Sequence, residues 1–283
     1  MNFLRKNPRR AGIIGAMLAI LAAGWFFGLP TPALLLVYLV FFLVLIICYR
    51  ADCAAVWGNI LYTRGHMEKA VKPLRYSVTH NTKSPVAHLH YGIYRLRQGE
   101  AKEAKGWLDK AEGLNIRPLT LKNVRLTQGC CLWVMGETDA AVAHLERMRE
   151  MYEYVNPQVL STLSYLYILK GELAKAESLS NAALEDTPDT ASAWDNLGQI
   201  WLIRKNRPKA REAFEKALAY KKDLPDSLYY LGVIAQEEGN AAEARRYYTE
   251  AAACTITPLN TVTRDQIEAA LATLPSSAGT DAP

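Results

Sequence analysis

Two patterns of hydrophobic and polar positions divide this chain near residue 50. Residues 11–29 run without a charge, and after Pro30, Thr31 and Pro32 a second apolar run fills residues 33–48. A helix rises about 1.5 Å per residue, so the first run can cross a hydrocarbon core of about 30 Å. Tyr49 and the stem of Arg50 extend the shorter second run to the interface. Pro30 and Pro32 break any continuous helix, because each lacks an amide donor and restricts the residue before it. The pattern predicts a two-helix transmembrane hairpin over residues 11–49, with spans 11–29 and 33–49, behind a basic N-terminus of residues 1–10. A cleaved signal peptide is the competing reading, with Ala22, Ala23 and Gly24 as small residues. The long apolar region and the second run directly behind it argue against cleavage.

Beyond residue 50 the apolar positions become periodic, and the period is near 34. A register with starts at residues 51, 85, 122, 157, 191 and 225 aligns six segments. The eighth position holds Gly58, Gly92, Gly129, Ser164, Gly198 and Gly232, and the fifteenth holds Gly65, Gly99, Gly136, Gly171, Lys205 and Gly239. At the twentieth all six are alanine: Ala70, Ala104, Ala141, Ala176, Ala210 and Ala244. The twenty-seventh carries Ser77, Ala111, Met148, Ala183, Ala217 and Ala251. Antiparallel helices that cross closely need small residues at the crossing. A glycine that ends the first helix takes the left-handed conformation without a Cβ penalty. Large residues fill the gaps: Trp57, Tyr91, Leu163, Leu197 and Leu231 at position seven, and Leu74, Leu108, Leu145, Phe214 and Tyr248 at position 24. Six helix-turn-helix units are expected, and the fold class is all-α.

These residues resemble the tetratricopeptide-repeat (TPR) family over residues 51–258. Residues 191–224 are the clearest unit, with Trp194, Leu197, Gly198, Trp201, Ala210, Phe214 and Ala217 in the family's places, and Pro188 closes the unit before. The third unit departs most, through Arg125, Gln128 and Met148. Sel1-like repeats are the nearest alternative, and the near-constant spacing of 34 disfavours them. The resemblance implies a helical solenoid wound as a right-handed superhelix. Thr263, Arg264, Asp265 and Gln266 read as a capping box opening a helix over residues 263–274, which would cover the end of the array. Residues 275–283 are small, polar and expected to be disordered. With no linker after Arg50, the second span and the first repeat helix are expected to be nearly continuous.

Charge and chemistry narrow the function. Of 33 Lys and Arg, five (Arg5, Lys6, Arg9, Arg10 and Arg50) lie in the first 50 residues, which contain no Asp or Glu. The other 28 face 28 acidic residues, so the formal +5 belongs to the membrane flanks. A nucleic-acid partner is therefore not expected, since its counterion-displacing charge belongs on the folded domain. The cysteines Cys48, Cys53, Cys130, Cys131 and Cys254 lack framework spacing and read as reduced, apolar side chains. No GxxxxGK[ST], HExxH, GxSxG or GxGxxG motif occurs. His66, His80, His88, His90 and His144 are scattered. No catalytic residue, cofactor or metal site is expected.

The family resemblance implies a concave ligand groove lined by first-helix positions two, five, six, nine, twelve and thirteen. Carried onto this chain, those positions give Asn59 and Tyr62, then His90 and Arg97, Thr127 and Trp133, and Ser161 and Tyr165. The last two repeats give Asp195, Asn196 and Gln199, then Tyr229, Tyr230 and Gln236. Tyrosines and amides suit a protein partner presented as an extended peptide or a helix. A carboxylate clamp is rejected, because its lysine and asparagine places hold Ala55, Asn59, His90, Asn123 and Thr127, which keeps two amides but no lysine. Basic residues flank both ends of the hairpin and none lies in its turn, which places both ends in the cytoplasm. The expectation is a multi-pass inner-membrane protein anchored in the lipid bilayer, acting as a non-catalytic scaffold for a cytoplasmic protein partner. The alternative is an extracytoplasmic assembly factor of the cytochrome c maturation type, which requires the opposite orientation.

Overall fold

A computed structural model describes residues 8–28, 30–152 and 156–275. Most of the basic N-terminus (residues 1–7), Leu29 at the end of the first expected span and residues 276–283 of the tail lie outside the described residues. Among the described residues the chain forms fifteen α-helices and no strand.

Helix α1 (Pro8–Phe26) and helix α2 (Thr31–Cys48) fold back on one another. A Cβ built on Gly24 would fall 2.3 Å from Leu34 Cδ2, so only glycine admits that leucine at its present place. Tyr38 Oη donates to Met17 O at 3.1 Å across the same contact. Pro32 sits in the first turn of α2, where its missing N–H is no loss, so the helix begins before the expected residue 33. Helix α2 is long and apolar enough to cross a membrane and buries no residue within the protein. The apolar part of its partner, Gly15–Phe26, is shorter. The two expected spans thus reduce, on length and composition, to one helix that meets the criterion and a shorter apolar helix packed against it.

Six helical pairs follow: α3 (Arg50–Thr63) with α4 (Met67–Thr79), α5 (Pro85–Arg97) with α6 (Ala101–Glu112), and α7 (Pro118–Val134) with α8 (Thr138–Met151). Then come α9 (Pro157–Leu169) with α10 (Leu173–Asp186), α11 (Ala191–Ile203) with α12 (Arg207–Tyr220), and α13 (Pro225–Glu237) with α14 (Ala241–Ala253). Only Tyr49 separates α2 from α3. It donates its N–H to Leu45 O at 2.8 Å and accepts from Cys53 N at 2.9 Å, so the hydrogen-bond ladder runs nearly unbroken from the apolar helix into the first pair.

The small-residue positions do the packing. Cβ atoms built on Gly58, Gly129, Gly198 and Gly232 would sit 2.5–2.7 Å from Leu74, Leu145, Phe214 and Tyr248 respectively. The six alanines of the twentieth position are all completely buried. Five turn glycines adopt φ between 74° and 85°, and Lys205 takes the same left-handed conformation at φ 60°.

Two departures from the sequence pattern have local causes. Helix α7 starts at Pro118, not at residue 122, because proline after the extended Arg117 is preset for a first helical turn. Trp57 is 55% exposed instead of filling a gap, since no earlier pair covers α3. At the other end α15 (Arg264–Thr273) packs on α14. Its N-cap Thr263 accepts from Gln266 N while the Gln266 side chain accepts from Thr263 N, and Ile267 is fully buried.

Candidate binding groove

The first helices of pairs two to six (α5, α7, α9, α11 and α13), together with α4, line a cavity of about 1190 Å³. Tyr94 and Arg97 reach it from α5, Trp133 from α7, and Ser161, Thr162 and Tyr165 from α9. Asp195 and Asn196 come from α11 and Asp226 from α13. Trp133 and Tyr165 meet edge to face at 4.8 Å, forming an aromatic wall. Glu68 and Lys72 of α4 complete the opposite side.

Two buried carboxylates sit in this groove. Asp195 accepts from Gln199 Nε2 at 2.8 Å and from Ser227 Oγ. Burial, and then the charge of Asp226, push its carboxyl up to about 7, against the pull of those two donors. Asp226 accepts from the segment that follows α14: Asn260 Nδ2 at 2.7 Å, Thr261 N at 2.6 Å, Thr261 Oγ1 at 2.7 Å and Val262 N at 2.9 Å. Tyr165 and Tyr230 stand near both carboxylates, and burial, first of all, raises both phenols.

Residues 132–200 and 204–258 each match a tetratricopeptide-repeat family model. Over those residues the helical pairs match tetratricopeptide repeats. A tetratricopeptide repeat protein from Parabacteroides merdae ATCC 43184 has a similar structure over 96% of this chain and 95% of its own, with a TM-score of 0.63 at 11% identity. The type IV pilus biogenesis factor PilW is similar over 71% of this chain and 91% of its own, with a TM-score of 0.55 at 14% identity. At such identities the likeness is one of fold. Cellulose synthase operon protein C of Pseudomonas fluorescens (strain SBW25) is 31% identical over 87 residues. That stretch is 31% of this chain and only 7% of the relative's length.

The repeat register places the fourteen candidate groove residues unevenly. Arg97, Trp133, Ser161, Tyr165, Asp195 and Asn196 line the cavity. Even among these, the Asn196 amide donates to Ser161 O at 2.7 Å and thereby ties repeat five to repeat four. Asn59, Tyr62 and His90 instead form a contact between the first two repeats. The Tyr62 and His90 rings stack at 3.8 Å, and His90 Nδ1 lies 2.9 Å from Asn59 Oδ1. Thr127 donates to Asn123 O within its own helix at 2.8 Å, and Gln199 donates to Asp195. Tyr230 stacks on Phe214 at 5.5 Å, Tyr229 tilts against Tyr248, and Gln236 accepts from Tyr248 Oη at 2.8 Å. Those eight residues lie outside the cavity lining, and each is engaged by a neighbouring repeat, by the second helix of its own repeat or by its own helix.

Other lining residues were not singled out from the sequence. Gln158, Ser192 and Asp226 stand at the second position of repeats four, five and six, a place the family's groove uses, so the signal was available. Thr255, Ile256 and Thr257 close repeat six beyond α14, and Leu259, Asn260 and Thr261 follow the last repeat, so none stands at a groove position of the register.

Proposed function

We propose that this protein is a membrane-tethered, non-catalytic scaffold that holds a protein partner in the concave groove of its repeats. The observation that carries this reading is the cavity of about 1190 Å³, walled by Trp133 and Tyr165 and edged with hydroxyls and amides. Aromatic faces supply contact area at low entropic cost, and amides and hydroxyls satisfy the backbone of an extended peptide. Tetratricopeptide repeats serve elsewhere as platforms for protein–protein interaction, which fits a site without a catalytic constellation.

Anchoring is supported by α2, whose eighteen residues span about 27 Å, close to the thickness of a hydrocarbon core. Helix α1 forms the second arm of the hairpin. Arg9 and Arg10 precede its apolar part, and Arg50, Arg64, Lys69, Lys72 and Arg75 follow α2, with no charge in the connecting turn. The positive-inside rule then puts the repeats in the cytoplasm at the inner face. Tethering raises the local concentration of whatever the groove holds.

The test is affinity capture with the full-length protein in nanodiscs, comparing wild type with a Trp133→Ala, Tyr165→Ala double variant. The partner is expected to be lost from the variant by at least tenfold, and equal capture sinks the groove reading. A reporter fused after Pro283 and active only outside the cytoplasm is expected to stay silent.

A further inference from the structure

Residues 254–262 leave repeat six and cross the concave face before α15 begins. The route is not the one a plain connector needs, since α15 packs directly on α14. Leu259 packs against the apolar cluster of repeats two and three. The neighbouring Pro258 ring approaches Gly99, where a built Cβ would lie 3.5 Å from Pro258 Cγ. Ile256 stays with the cluster of repeat six. Directly after Leu259, Asp226, which is 7% exposed, accepts the backbone amides of the consecutive residues Thr261 and Val262 together with the Asn260 amide and the Thr261 hydroxyl. Thr257 N donates to Asn260 Oδ1 at 2.8 Å and shapes the turn between them. Main-chain amides held by a groove carboxylate, with one aliphatic side chain packed on an apolar cluster, can hold a peptide segment in a groove.

We propose that residues 254–262 are an internal occupant of the groove, and that the partner binds by taking this strap's place at Asp226 and at the Leu259 pocket. The proposal rests on the groove-binding reading and deepens it by giving the partner's chemistry. The strap defines that chemistry: a turn-forming segment with an aliphatic residue, then an amide or hydroxyl residue, then two consecutive free backbone amides. A proline at either of the last two positions removes a donor that Asp226 needs. A partner carboxylate at the same point meets like charge and is excluded. The tethered strap competes at an effective concentration that a free peptide does not reach, so the resting protein binds such a segment weakly.

The probe is a fluorescein-labelled, C-terminally amidated peptide with the sequence of residues 255–262, titrated against the full-length protein in nanodiscs and followed by anisotropy. Leu259→Asp frees the groove while leaving the receptor intact, and the peptide is expected to bind this variant at least tenfold more tightly than wild type. Adding Asp226→Asn is expected to remove that gain. Leu259→Ala serves as the milder variant, and faster hydrogen exchange at the Thr261 and Val262 amides, with protection kept in repeats two to five, reports strap release in both. Equal peptide affinity in wild type and both Leu259 variants overturns the proposal, as does a gain that survives Asp226→Asn. Unchanged exchange at those two amides overturns it as well. If the peptide binds no variant while partner capture still depends on Trp133 and Tyr165, the strap proposal alone fails. Capture indifferent to those two aromatics removes the groove reading instead.

Discussion

Ser164 Oγ and Ser180 Oγ lie 2.7 Å apart at the crossing where the other five repeats set a glycine against a bulky side chain. The equivalent partners are Gly58 with Leu74, Gly92 with Leu108, Gly129 with Leu145, Gly198 with Phe214 and Gly232 with Tyr248. Repeat four has therefore changed both members together. The serine that replaces glycine leaves no room for leucine or phenylalanine, and the second serine returns the space and accepts or donates the hydrogen bond. Ser164 Oγ also reaches Ala176 O at 2.8 Å, so the pair is fully satisfied in a buried place.

This coupling predicts that Ser180→Leu alone destabilises the protein by about 1–3 kcal/mol, the usual cost of overpacking a close crossing. Adding Ser164→Gly is expected to restore most of the loss. Urea denaturation of both single variants and the double variant gives the interaction energy directly. Additive effects would show that the two positions are independent and that the crossing tolerates the leucine.

Lys205 holds φ 60° at the turn where the other five repeats place glycines. A side chain in the left-handed region costs about 1–2 kcal/mol relative to glycine. Lys205→Gly is accordingly expected to raise stability by about 1 kcal/mol, less the added freedom of the unfolded chain. Gly171→Ala, at φ 74°, is expected to lower it by a similar amount. Denaturation midpoints of the two variants check both signs.

Gln128 stands at the seventh position of repeat three, where other repeats carry Tyr or Leu, and it is 4% exposed. Its Nε2 donates to Asp109 Oδ1 at 2.8 Å and to Glu112 Oε2 at 3.1 Å, while among the described residues its Oε1 has no partner. An unsatisfied buried acceptor costs about 1–3 kcal/mol. Gln128→Leu is expected to stabilise the protein by about 1 kcal/mol, since Asp109 and Glu112 keep contact with solvent. A loss of stability in thermal melts would mean that the two carboxylates depend on the glutamine's donors.

The helix pairing was legible in the sequence because one mechanical demand, close crossing of two helices, recurs in every repeat and leaves small residues in register. The groove was legible only in part. Counting positions finds the inner face of each first helix, and so finds Trp133, Tyr165 and Asp195. It cannot tell which inner-face residues the next repeat consumes, as happens to Asn59, Tyr62 and His90. The strap was not legible at all, because it occurs once, outside the period, and its anchor Leu259 meets repeats two and three through the closure of the array. Gln128 and Met148 marked repeat three as irregular, but the earlier start of α7 came from Pro118, which lies before the register.

Two groups that titrate between acid and neutral pH, Asp195 and His90, pull stability in opposite directions with pH. Burial holds the Asp195 carboxyl at about 7, so folding favours its protonated form. Its contribution is fully present below the ordinary carboxylate range and is lost as pH rises to about 7. Burial lowers the His90 imidazole to about 4, so folding favours its neutral form. That contribution is present above the ordinary histidine range and is lost as pH falls to about 4. Between pH 7 and pH 5 the two slopes offset one another in the wild type. Asp195→Asn keeps an acceptor for Ser227 and cannot ionise, so the variant is expected to lose more stability on acidification across this window than wild type does. His90→Gln is expected to lose less. Urea midpoints measured at pH 5 and pH 7 for the three proteins give the comparison. An Asp195→Asn variant with the wild-type slope would show that Asp195 is already ionised at pH 5, and that its hydrogen bonds from Ser227 and Gln199 outweigh its burial beside Asp226.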